Sequence, residues 1–283
     1  MKIEVFIPAY NCRETLPKTL ASLAAQTDSD FYVCVVDDCG SEPIEDICAM
    51  FPQLNLRVVR NPENRGCGLS RQSAIDTSDA DYLIPLDSDD MLLPMAINVF
   101  KQNAILNPTV DFFVSYVYNE VPLPKDESLL GYALIKDGFT LVSGKMYKAE
   151  FLKKFNIRNC KEFSRFADDT YINMLSYELG STLMIPFPLY LYTRNPNSVT
   201  NKNGGKDYWA DVVPKFLRCI EKTSEIISQY KPGNQIEHLY GTLPYIKNVI
   251  IERKQEKEIQ LYNNLINKLN TLGCSFDVSY YIS

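Results

Sequence analysis

A chain of 283 residues with 46% hydrophobic content can bury a sizeable core, with room for one large domain and an appendage. Its formal net charge of -6 leaves no basic stripe to displace counterions from phosphates, which argues against a nucleic-acid partner. The eight cysteines are scattered, with no C-x-x-C pair, and His238 is the single histidine, so zinc ligation and a disulfide framework both give way to free thiols in a reducing cytosol.

No run approaches the ~18 consecutive apolar residues of a membrane span. The opening MKIEVFIPAYN is too short for a signal h-region and reads as a strand over Ile3–Pro8, so a cytoplasmic protein is expected. Helical spacing follows at Leu16, Leu20, Leu23 and Ala24, with Pro17 in the first turn. Phe31–Val36 is a buried strand that stops at Asp37-Asp38. The pattern repeats: a strand at Leu54–Val59, a helix at about Gly68–Asp76, and a strand at Tyr82–Leu86 that ends in Asp87-Ser88-Asp89-Asp90. This alternation predicts a sheet with crossover helices, and ligands gather at the carboxyl ends of parallel strands, so the two acidic clusters are expected to face one crevice.

A helix at about Pro94–Leu106 and a strand at Phe112–Tyr116 come next. Asn119–Asp137 loses periodicity, carries Pro122 and Pro124, and is expected to be an irregular insertion near the site. A helix at about Asp168–Leu179 and a strand at Thr182–Tyr192 precede Asn195–Asp207, whose Asn, Gly and Lys read as a mobile loop. From Tyr208 the patterns turn helical, over about Tyr208–Tyr230 and Ile246–Leu269. The expected division is a main domain over 1–207, with halves at about 1–110 and 111–207, and a helical appendage over 208–283. Val249, Ile250, Leu265 and Leu269 on those last helices could pair two copies into a homodimer.

The strongest local signal is Asp87-Ser88-Asp89-Asp90. Alternate residues of an extended segment share a face, so Asp87 and Asp89 can converge while Ser88 turns away. Mg²⁺ or Mn²⁺, completed by substrate phosphates, would relieve the repulsion between them. A strand-end turn with solvated acids accounts for the same residues equally well. Asp37-Asp38-Cys39-Gly40-Ser41 repeats the geometry, either as a capped turn or with a carboxylate accepting an N–H from a base. Asn64-Arg65-Gly66-Cys67-Gly68-Leu69-Ser70-Arg71 sets two glycines and two arginines at a helix start, suited to an anion or a base edge. In Asp168-Asp169, Asp168 reads as an N-cap and Asp169 as N1, favoured there by the helix dipole; alternatively one of them is a general base, its pKa raised by burial or by its neighbour.

Taken in order, Val5-Phe6-Ile7-Pro8-Ala9-Tyr10-Asn11, Val36-Asp37-Asp38, Asn64-Arg65-Gly66 with Ser70-Arg71-Gln72, Leu86-Asp87-Ser88-Asp89-Asp90 and Ala167-Asp168-Asp169 resemble the glycosyltransferase family 2 pattern over roughly residues 1 to 200. The resemblance implies a GT-A fold, a Rossmann-like mixed, mostly parallel sheet flanked by helices. It also implies inverting transfer of a single sugar from a nucleotide-diphosphate sugar, UDP favoured, to an acceptor hydroxyl. The implied nucleotide-binding set is Pro8, Tyr10, Asn11, Asp38, Arg71, Asp87 and Ser88. Asp89 is the implied ligand of Mn²⁺ or Mg²⁺, with Asp87 nearer the ribose or metal. Asp169 is the implied catalytic base, and Asp168 stands where the family pattern has Glu. The Q-x-x-R-W motif of processive synthases is missing.

The partners this implies are a nucleotide sugar and a glycan or lipid-linked acceptor in bacterial surface polysaccharide assembly, with peripheral contact at the inner face of the membrane. The other reading is a non-catalytic nucleotide-sugar-binding subunit or sensor. By composition, Asn195–Asp207 would close over the donor, with Lys202 or Lys206 in reach of the diphosphate. UDP with Mn²⁺ should then protect that segment from limited proteolysis, and unchanged cleavage would count against closure.

Overall fold

Continuous apolar runs, buried on both sides, become the central strands of the sheet. Numbered in chain order, β1 (Ile3–Ala9), β2 (Tyr32–Asp37), β3 (Asn55–Arg60) and β4 (Tyr82–Pro85) pair in parallel in the order β3-β2-β1-β4. The structure, a computed structural model, describes residues 1–123, 126–135, 142–165, 167–195, 206–231 and 256–272, by backbone alone over 122–123, 126–135, 206–212 and 256–257. Beyond β4 the sheet turns mixed. β8 (Lys145–Lys148) runs antiparallel between β4 and β6 (Phe112–Leu123), β9 (Thr182–Tyr192) lies parallel to β6, and the two-residue β5 (Met91–Leu92) ends the order.

Residues of β1 alternate between two cores, with Ile3, Val5, Ile7 and Ala9 in one and Phe6 in the other. The first core is completed by α1 (Leu16–Ala24), α2 (Glu45–Ala49) and α4 (Ala96–Leu106). In α1, Leu16, Thr19, Leu20 and Leu23 form the buried stripe, and Pro17 occupies the first turn, where its missing N–H costs nothing. The second core lies under α3 (Cys67–Asp76), α5 (Ala149–Lys154) and α6 (Asp168–Leu179), with α7 (Lys206–Tyr230) packed on α6 and α8 (Glu256–Thr271) on α7. α3 has a polar inner face: Ser70, Arg71 and Gln72 are buried.

Two expectations are corrected here. Asn119–Asp137 is not an irregular insertion over its described part: β6 continues to Leu123 and pairs antiparallel with β7 (Asp126–Ile135). Pro122 misled because proline ends most ladders, yet it falls where the β6–β7 register shifts, a place that tolerates proline. Leu265 and Leu269 do not form a homodimer patch either. They are buried in one cluster with Val213, Leu217 and Ile220 of α7 and Met174 and Leu175 of α6. Their helical spacing marked an apolar face without saying what covers it. Val249, Ile250, His238, Cys274 and 196–205 of the expected loop lie outside the described residues.

The seven described cysteines are free thiols. Among the described residues no helix is long and apolar enough to cross a membrane. Because α8 shares its core with α6, Leu269→Ala should cost about 2–5 kcal/mol, and urea denaturation should show one cooperative transition rather than separate loss of the last helix.

Candidate active site

The parallel order β2-β1-β4 brings the carboxyl ends of β2 and β4 to either side of β1, so both acidic clusters emerge on one edge. Cys12, just after β1, lies between them. Burial pushes its thiol pKa up, Ser88 is within hydrogen-bonding reach, and the charges of Asp37 and Asp89 act on it from the two clusters.

The β2 end is a knot of internal hydrogen bonds. Asp37 accepts the N–H of Gly40 at 2.9 Å and pairs with Arg60. Asp38 accepts Asn61 Nδ2 at 2.8 Å and the N–H groups of Arg65 at 2.9 Å and Gly66 at 2.8 Å. Asn11, at φ 48, accepts the N–H of Ser41 through Oδ1 at 2.8 Å. Pro8 is buried in β1 and Tyr10 stands 52% exposed beside it. Of the expected nucleotide set, Asp38 and Asn11 thus spend their oxygens on shaping the edge.

At the β4 end the four residues point to different partners. Asp87 Oδ1 accepts Arg71 Nη2 at 2.6 Å. Asp89 Oδ2 accepts Asn195 Nδ2 at 2.7 Å, and its pKa is raised by burial and by Asp87. Asp90 is 1% exposed; it accepts the Tyr190 hydroxyl at 2.6 Å and the Thr193 N–H at 2.7 Å, and burial with Asp87 and Asp89 nearby pushes its pKa well up. The same Tyr190 oxygen accepts the Asp87 N–H at 3.2 Å.

Arg71 joins this edge to the acid pair. Its guanidinium, 5% exposed, donates to Asp87 on one side and pairs with Asp168 on the other. Burial raises the pKa of Asp168 and Arg71 opposes that rise. Asp169 accepts the N–H of Thr170 at 2.7 Å, and burial together with the charge of Asp168 pushes its pKa up to about 7. The N-cap of α6 is Ala167, at φ 64, so Asp168 and Asp169 are N1 and N2 rather than cap and N1. Gly66, at φ 85, is the N-cap of α3, and the Gly68 N–H donates to Ser164 O at 2.9 Å, so the glycine-rich turn meets the segment before α6.

A divalent cation fits the β4 end by donor chemistry. Asp87 and Asp89 are hard oxygen donors that repel each other, and a cation would relieve that repulsion. Among the described residues no group of three or more His, Cys, Asp or Glu side chains could hold a metal ion by itself, so the remaining ligands would come from a diphosphate and water.

Arg71, Asp87, Asp168 and Asp169 are therefore brought together, with Ser88 and Asp89 on the same turn. The sequence reading missed Tyr190, Thr193 and Asn195. Tyr190 sits in an apolar strand with nothing to mark its hydroxyl, and Asn195 was visible only as the first residue of a loop.

The chain belongs to glycosyl transferase family 2, whose sequence model matches residues 4–167, more than half of it. A putative teichuronic acid biosynthesis glycosyltransferase of Bacillus subtilis, TuaG, is 31% identical over 90 residues, 31% of this chain and 36% of that one. Among solved structures, S. aureus TarS 1-349 in complex with UDP-GlcNAc is similar with a TM-score of 0.60 at 20% identity, over 82% of this chain and 72% of that one. A Pyrobaculum calidifontis mannosyltransferase in complex with GDP-Man and Mn²⁺ gives 0.56 at 13%, over 98% and 77%. At these identities the structural likeness is one of fold, the GT-A arrangement. The chain spans about a third of the length of the first curated relatives it matches, with 37%, 31% and 36% of each covered.

Tyr190 holds Asp90 and the backbone of Asp87 at once, so Tyr190→Phe strips a buried acceptor and a backbone N–H of their partner. Loss of about 1–3 kcal/mol is expected from urea denaturation.

Proposed function

We propose that this chain transfers a single sugar, with inversion, from a nucleotide-diphosphate donor, a UDP-sugar before others, to an acceptor hydroxyl in bacterial surface polysaccharide or glycan assembly, and that it depends on a divalent metal. The observation that carries this reading is the division of labour in the acid pair: Asp168 is committed to Arg71, while Asp169 keeps an oxygen for a substrate and has a pKa pushed up to about 7. A base is most effective when its pKa lies near the working pH. The shorter acid at 168 still reaches Arg71, which supports this reading over that of a non-catalytic binding subunit.

In the mechanism, Asp169 takes the proton from the acceptor hydroxyl as that oxygen attacks the anomeric carbon and the bond to the diphosphate breaks on the opposite face. Bound by Asp89 and Asp87, a divalent cation would supply a Lewis acid that neutralises the leaving diphosphate. Arg71 holds Asp87 and Asp168 at fixed separation, which keeps the donor end and the base in one frame. Residues 1–110 would bind the donor, 111–207 the acceptor, and 208–283 would support α6.

The test is nucleotide release from a panel of UDP-, GDP- and dTDP-sugars with Mn²⁺. One donor should be turned over, chelation and Asp89→Asn should abolish release, and Asp169→Asn should slow it about 10²–10⁴-fold. Binding without release from every donor would point to the sensor instead.

The pH profile supplies a second check. Asp169 must be deprotonated to act, so kcat should fall as pH drops through about 7 and level off above it. A kcat that is flat from pH 5 to 8 would take the base role from Asp169.

A further inference from the structure

We propose that Gly68 is a positioning residue for the acid pair: lacking a Cβ, it lets the short carboxylate of Asp168 reach Arg71 and so sets where Asp169 stands. The inference rests on Asp169 being the base.

Gly68 lies in the first turn of α3, where glycine is among the worst residues for a helix and no positive φ demands it. What demands it is space. A Cβ at position 68 would lie 2.7 Å from Asp168 Cβ, 3.0 Å from Ser164 Cα and 3.2 Å from Asp168 Cγ. Ordinary carbon contacts are about 3.5–4.0 Å, so any larger residue has to push the start of α6 away from α3.

That push has nowhere harmless to go. The Gly68 N–H holds Ser164 O at 2.9 Å, and Ser164 Oγ holds Arg65 O at 2.9 Å. Gly66 closes the same contact, since a Cβ there would lie 2.7 Å from Ser164 O. Arg71 is one turn beyond Gly68 on the same helix face, so a single helix offers both the gap and the cation. The guanidinium cannot follow a retreating Asp168, because its other side is held by Asp87 at 2.6 Å. Aspartate is the shortest carboxylate, and only close approach of the two helices lets it span from α6 to Arg71.

The pairing predicts compensation. In the whole 283-residue chain, Gly68→Ala should lower kcat for nucleotide release by about tenfold or more, the scale of a misplacement near 1 Å, with KM for the donor within about twofold of wild type. Asp168→Glu alone overfills the gap and should also lower kcat. In the double variant the added methylene bridges the displaced helix, so kcat should recover at least about threefold over Gly68→Ala, a non-additivity expected of residues in contact. Melting temperature should fall in each single variant and recover in the double, and if Gly68→Ala fails to fold, the double should restore folded protein. A double variant that loses as much as the two singles combined, or a Gly68→Ala protein with wild-type kcat and melting temperature, overturns the proposal. Should the wild type release no nucleotide from any donor, the transferase reading falls, and the melting-temperature cycle still decides whether 68 and 168 are coupled.

Discussion

A guanidinium sealed from water has to be matched by anions, and Arg71 meets that demand with carboxylates from two separate parts of the fold. Asp87 comes from the end of a central strand and Asp168 from the start of a helix in the second core. Removing one partner of a buried pair costs about 3–5 kcal/mol, so the β4 end and the acid pair are energetically one structure. The polar inner face of α3 follows from the same constraint. Ser70 accepts Asn61 Nδ2 at 3.1 Å and Gln72 accepts the Asn159 N–H at 2.8 Å, which fastens the helix on either side of Arg71 with hydrogen bonds in place of an apolar stripe.

The acids along this edge are unequally provided for. Asp37, Asp87 and Asp168 have arginine partners, whereas Asp89, Asp90 and Asp169 accept hydrogen bonds from an amide, a hydroxyl or the backbone. Burial and neighbouring charge hold those three above the ordinary carboxylate range, and Asp168 is raised as well although Arg71 opposes the rise. Like charges crowded in a poorly solvated place are costly. On the proposed reading a diphosphate would arrive with a cation, since a bare anion would meet Asp89 unshielded.

Much of the sheet was legible because its strands are buried on both faces and read as unbroken apolar runs between turns, as at Phe31–Val36 and Tyr82–Leu86. α6 and β9 fall at the expected residues, Asp168–Leu179 and Thr182–Tyr192. The order of motifs also led to the right family and to one carboxyl edge. What the sequence could not reveal was direction. A linear motif marks Asp38 and Arg71 as candidate ligand contacts without showing that the folded chain also sets Asp38 on the backbone of Arg65 and Gly66 and Arg71 between two carboxylates. Tyr190 and Asn195 join the site across about a hundred residues, and local pattern carries no trace of such pairings. The β6–β7 hairpin and the covering of Leu265 and Leu269 were likewise decided by what packs against them.

The position of Asp169 shows which force prevails at the proposed base. As N2 of α6 it lies in the first turn, where backbone N–H groups lack intrahelical partners, and a helix N-terminus stabilises an anion by about 0.3–1 kcal/mol, up to about 2 in partly buried geometry. That effect, with the Thr170 N–H at 2.7 Å and the charge of Arg71, would keep an ordinary aspartate acidic. Burial and the adjacent Asp168 act the other way and prevail. Asp168 therefore has two effects on its neighbour: it anchors the helix to Arg71, and its charge lifts the proton affinity of Asp169. Replacing it with a neutral side chain would relax the second effect while breaking the first. On the proposed reading, this is why two adjacent acids, where one would suffice for proton transfer, stand at the start of a helix that α7 packs against.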